Sequence, residues 1–140
     1  MTTRTLAVAA ACTLGLSASA SAAEPGPYSG ASTNKEIYRY GDIEPQTDKG
    51  KVTFKAKSKA VTKFKLKDQE IMCGASPAEV RVSVARIELD SRGKGKGTYT
   101  NPNVGAFKVK IKVRDNGKAS GTITPTGLCS GKVTFTAKPK

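Results

Sequence analysis

The segment Phe107-Lys108-Val109-Lys110-Ile111-Lys112-Val113-Arg114-Asp115-Asn116-Gly117-Lys118 constrains this chain more than any other, because its apolar and basic residues alternate strictly up to an Asn-Gly pair. Successive side chains of a strand point to opposite faces, so Phe107, Val109, Ile111 and Val113 turn inward while Lys108, Lys110, Lys112 and Arg114 turn outward. Asn116-Gly117 suits a type I′ hairpin turn, which brings residues 118–123 back as the partner strand. The pattern describes a half-buried sheet whose outer face carries ammonium groups.

The same alternation recurs elsewhere. Residues 51–57 (KVTFKAK) place Val52, Phe54 and Ala56 inward and Lys55 and Lys57 outward. Their hairpin partner is 62–68, with Phe64 and Leu66 on one face and Lys63, Lys65 and Lys67 on the other. In 79–90 the inward phase passes from Val80, Val82 and Val84 to Ile87 and Leu89, which predicts a bulge near Ala85-Arg86 or two shorter strands. β-Branched content favours strand over helix there. Residues 36–40 read as a short strand, 92–97 (RGKGKG) as a glycine-rich loop, 101–103 as a turn and 132–137 (KVTFTA) as a closing strand. The fold class is therefore all-β: an antiparallel β-sandwich or small barrel of about seven to eight strands.

Residues 1–23 read as a helical secretory signal peptide. Arg4 supplies the positive start, residues 6–16 the apolar stretch and Ala20-Ser21-Ala22 the cleavage site. The Pro-, Gly- and Ser-rich residues 24–34 read as an irregular entry segment, and 35–140 as a single β domain. Removing the signal takes away Arg4 and Cys12, leaving 23 basic against 11 acidic residues, a net charge of +12. Cys73 and Cys129 remain. In an exported chain such a pair is most simply a disulfide, a free reactive thiol being the alternative. Secretion into the extracellular space is the expected localisation.

Several of these residues also carry a resemblance. Gly26-Pro27-Tyr28-Ser29-Gly30, Cys73, Tyr99, Gly117 and Gly121 in the hairpin NGKASGT, Cys129 and Gly131 in Cys-Ser-Gly, and Phe135 in the closing strand form a pattern. It is similar to that of small secreted actinobacterial proteins of uncharacterised function. The resemblance implies a β-sandwich held by one disulfide and carries over no catalytic residue.

Histidine is absent, which excludes Ser-His-Asp and Cys-His mechanisms and histidine-containing zinc sites. Carboxylates pair in sequence at Asp68/Glu70, at Glu88/Asp90 and across Asp42, Glu44 and Asp48, but they flank basic strands and read as solvated counter-charges. No catalytic residue, metal site or cofactor is expected. Arg92, Lys94 and Lys96 in the glycine-rich segment invite an anion, since glycine lets backbone N–H groups approach one; a flexible loop is the plainer reading. The lysine rows speak more clearly, because outward residues two apart on a strand stand about 7 Å apart. Lys108, Lys110, Lys112 and Arg114 form one charged line, and Lys51, Lys55, Lys57, Lys59, Lys63, Lys65 and Lys67 a second. Solubility alone explains outward lysines, yet +12 exceeds the charge of roughly 2–8 that suffices for a small domain. The expected function is a non-enzymatic secreted protein binding anionic envelope or extracellular polymers through its lysine-rich faces. The alternative is a protein-binding module or inhibitor acting through its glycine-rich loops.

Overall fold

Alternation of buried and exposed side chains runs almost unbroken through a computed structural model that describes residues 23–140, and among these residues every regular element is a strand. The strands are β1 (Gly26–Ile37), β2 (Gln46–Lys57), β3 (Ala60–Cys73), β4 (Ser76–Glu88), β5 (Lys94–Asn101), β6 (Gly105–Val113), β7 (Ala119–Pro125), β8 (Cys129–Ser130) and β9 (Val133–Pro139). The signal-peptide expectation falls on residues outside those described, except for Ala23. Ala23 is 2% exposed and packs into the core cluster, so it belongs to the folded domain.

One antiparallel sheet runs in the order β4-β3-β2-β1-β9-β7-β6-β5, with β8 attached to the end of β3. Neighbours in space are neighbours in the chain, and β9 returns to pair with β1. The result is an up-and-down barrel, closed by hydrogen bonds everywhere except between β4 and β5. Of the two architectures expected, this is the barrel: the ladder never breaks into two facing sheets. Its interior is filled by side chains, among them a run of aromatic rings in which Tyr28–Phe54, Phe54–Phe64 and Phe64–Phe135 centroids lie 4.9, 6.1 and 5.5 Å apart. Burial, and then the nearby Glu24 carboxylate, raise the pKa of the Tyr28 phenol, which donates to the Glu24 carbonyl at 2.8 Å.

Three local expectations are corrected. First, residues 24–34 are not an irregular entry, because β1 begins at Gly26 and alternates Tyr28, Ser32 and Asn34 inward. Two of those inward residues are polar, which hides the period in the sequence. Their burial is made tolerable by hydrogen bonds: Ser32 Oγ donates to Gln69 Oε1 at 2.6 Å, and Asn34 Nδ2 to the Glu70 carbonyl at 3.3 Å. Second, the short strand at 36–40 is only the end of β1, and Tyr38 and Tyr40 lie beyond it, exposed. Third, Arg92–Gly97 is not a flexible loop: from Lys94 it is strand β5.

That third correction has a packing cause. Gly95 and Gly97 face inward against β4, where a Cβ on Gly97 would sit 3.0 Å from both Val84 Cγ1 and Ile87 Cγ1. The seam that lacks a hydrogen-bonded ladder is thus sealed by β4 side chains lying on bare β5 backbone.

β3 changes phase twice, with positive φ at Lys63 (55°) and Asp68 (57°) and register shifts beside each. Each extra residue re-aims the strand, so that Val61, then Phe64 and Leu66, then Gln69 and Ile71 point inward. In β4 the expected phase change is present, Ala85 and Arg86 being exposed in succession. Cys73 and Cys129 form the disulfide, directly opposed in the β3–β8 register and separated by 56 residues. It pins the connection between β7 and β9 across one end of the barrel, and the chain-entropy model assigns a loop of this length about 4 kcal/mol.

Filling the seam tests this packing. Gly97→Val is expected to destabilise the domain by about 1–3 kcal/mol through overpacking, read as a fall in the denaturant midpoint. Thr98→Val, on the exposed face of the same strand, should leave the midpoint almost unchanged.

Candidate anion-binding groove

The register of β5, β6 and β7 places outward lysines side by side. Lys94 faces Lys112 and Lys96 faces Lys110 across the β5–β6 ladder. The next ladder sets Ser120 against Lys112 and Thr122 against Lys110. Between these two rows lies a third, Gly95, Ile111 and Gly121, whose members turn to the interior or have no side chain. The outer surface is therefore a trough: Lys94, Lys112 and Ser120 form one wall, Lys96, Lys110 and Thr122 the other, with backbone as the floor. The cleft lined by these residues has a volume of about 660 Å³. Lysine stems make its sides apolar while the ammonium groups stand at its rim.

Beneath the floor Gly121 makes room for the core, since a Cβ there would press on the Lys110 carbonyl and on the buried Phe135 ring. Lys112 is half-buried, whereas Lys94, Lys96 and Lys110 are exposed.

The groove closes at the β4–β5 seam, where Glu88, Leu89 and Asp90 line it. Both carboxyls are held below their usual range. For Glu88 the first cause is its hydrogen bond with the Arg86 guanidinium, and for Asp90 it is the backbone N–H of Lys94, then that of Arg92. Those two N–H groups donate to Asp90 Oδ1 at 3.0 and 2.8 Å and fix the turn into β5. Asp90 also feels the charges of Arg92 and Lys94, but neither acid forms an ion pair with a groove lysine: among the described residues the ion pairs are Arg39–Glu70 and Arg86–Glu88.

The remaining expected site residues fall in several places. Lys108 extends the β6 row beyond the groove, opposite Thr98. Arg114 lies past the end of β6 and, with Lys118 and Lys138, borders a separate hollow over β1 and β9. Arg92 sits in the turn before β5. On the other side of the barrel Lys51 faces Lys67, Lys65 faces Thr53, and Lys55 faces Thr62. Lys57 stands at the hairpin end, opposite Ala60. Lys63 is exposed at a bulge and out of line with the row it was expected to join. Tyr28 of the Gly26–Gly30 motif is fully buried and presents no ring to a ligand.

The carboxylates serve the fold. Asp48 Oδ2 accepts from Gln69 Nε2 at 3.1 Å and from the Glu70 N–H at 2.8 Å, and Asp42 Oδ2 from the Arg39 N–H at 3.2 Å. Among the described residues no three acidic, cysteine or histidine side chains gather in a way that would hold a metal ion. Sequence reasoning missed the outward hydroxyls. The alternation in Ser120-Gly-Thr122-Ile-Thr124 and in Thr134-Phe-Thr136 was the pattern that would have shown them. Compared with known proteins, the chain matches no family model and no curated protein.

Like charges directly opposed across a ladder are destabilising. Lys110→Gln should therefore raise the melting temperature at low ionic strength. The gain should vanish toward 1 M salt, where the screening length is about 3 Å. A gain independent of salt would mean that Lys96–Lys110 repulsion is not its source.

Proposed function

We propose that this protein is a secreted, non-enzymatic β-barrel that binds anionic polymers of the cell envelope or extracellular space through its lysine-bearing strands, and that the β5–β6–β7 groove is the principal contact. The observation that carries this reading is the register of Lys94 with Lys112 and of Lys96 with Lys110. Solubility calls for charge, but a mixed-sign surface supplies it without opposing ammonium groups in pairs. An anion lying between the two walls relieves that repulsion and turns a local cost of folding into binding energy.

Export has its own support in the disulfide and in the signal-type composition of the first residues. No helix among the described residues is long and apolar enough to cross a membrane.

A second reading, a protein-binding module, loses the Arg92–Gly97 loop, which is strand from Lys94, and keeps the turn at residues 102–104 between β5 and β6. A further observation favours it: Tyr38, Tyr40, Ile43 and Leu128 are exposed. They belong to the two connections that flank Met72, whose Sδ accepts the Tyr38 N–H and whose backbone pairs with Ser130.

The test must separate the groove from bulk charge. Lys94→Gln, Lys110→Gln and Lys112→Gln in one variant should weaken binding to linear polyphosphate at least tenfold. The slope of log affinity against log salt should fall by about 2, as counterion release from fewer contacts requires. Removing three charges elsewhere, at Lys35, Lys59 and Lys132, should change affinity less than twofold. Equal losses in the two variants would reduce the groove to nonspecific attraction.

A further inference from the structure

The groove accounts for one lysine field and leaves the other, on β2 and β3, unused. Following the pairing partners around the barrel joins them. Lys94 faces Lys112, Lys112 faces Ser120, Ser120 faces Thr136, Thr136 faces Ala31, Ala31 faces Lys51 and Lys51 faces Lys67. A second row runs beside it through Lys96, Lys110, Thr122, Thr134, Thr33 and Lys49. Each row is basic at both ends and uncharged between.

The intervening surface is suited to an anionic chain. Thr122, Thr134, Thr136, Ser120 and Thr33 offer hydroxyl donors, small side chains and no carboxylate. The other way around the barrel is shorter in strands but begins at Glu88 and Asp90, and Arg86 on that side is engaged by Glu88.

On this basis, and resting on the groove reading above, we infer that the two lysine fields form one extended site for a single flexible linear polymer of repeated phosphate or sulfate groups. The chain lies across the strands, from the groove over β7, β9 and β1 to Lys51 and Lys67. Four strand spacings separate β6 from β2, a surface path of about 19 Å. The path bends with the barrel wall, so a flexible chain follows it. Duplex nucleic acid, with a persistence length of about 50 nm, does not.

Two ligands of the same chemistry test the inference on the full folded domain: tripolyphosphate, too short to leave the groove, and linear polyphosphate of about 45 units. Lys51→Gln with Lys67→Gln should lower long-chain affinity at least fivefold and leave tripolyphosphate affinity within twofold. Thr136→Glu, which puts an acid on the path, should likewise lower only long-chain affinity. Ser83→Glu, which puts the same charge on β4, should have less than half that effect. Both short- and long-chain binding insensitive to the Lys51/Lys67 change, with groove substitutions still effective, would overturn the single extended site while the groove stands. A larger loss from Ser83→Glu than from Thr136→Glu would also overturn the path. Failure of tripolyphosphate to bind, or binding indifferent to Lys96→Gln and Lys110→Gln, would remove the groove reading and this one together.

Discussion

The ladder between β1 and β9 is the interaction on which the rest of the structure depends, because it turns an eight-strand meander into a nearly closed wall. Closure removes two edges and encloses Tyr28, Phe54, Phe64 and Phe135. It also gives every strand an inside and an outside. Once the inside is apolar, the outward residues are free to be chosen for other reasons, and on β5 and β6 they are lysines. The remaining opening, at β4 and β5, is sealed by side chains lying on glycine rather than by hydrogen bonds. The same glycines make the strand that carries Lys94 and Lys96 thin enough to lie flush beside β4.

Stability and surface chemistry pull against one another at this site. Setting Lys94 against Lys112 and Lys96 against Lys110 opposes like charges at the closest positions a sheet allows. The structure absorbs that repulsion through burial elsewhere and through the Cys73–Cys129 bridge, which ties the β7–β9 connection to β3. The buried polar group of Ser32, Asn34 and Gln69 belongs to the same end of the barrel. Every member is hydrogen-bonded there, so it orders the interior rather than opening it to chemistry.

Much of this was legible in the chain wherever a strand buries one apolar face. The β6–β7 hairpin, the inward and outward sets of β2 and the phase change in β4 follow directly from period-two patterning. The disulfide followed from cysteine count and the expected compartment. What escaped was of two kinds. β1 hides its period because its inward positions include Ser32 and Asn34. β5 hides its identity because glycine is a turn former by propensity and a strand residue only where a neighbour fills its space, here Val84 and Ile87. The groove needed something the sequence does not contain, the pairing of strands. By local propensity Lys94 and Lys96 belong to a loop, and only the β5–β6 register sets them against Lys112 and Lys110.

The central claim is that anions settle between these lysines rather than over the whole basic surface. Amide chemical-shift mapping during titration with tripolyphosphate reads that most directly. The account predicts early, saturating shifts at Gly95, Ile111 and Gly121, the floor of the groove, with little change at the hairpins bearing Lys59 and Lys118. Shifts that grow together at every lysine-bearing strand without saturating, or that gather instead around Tyr38 and Ile43, would contradict it.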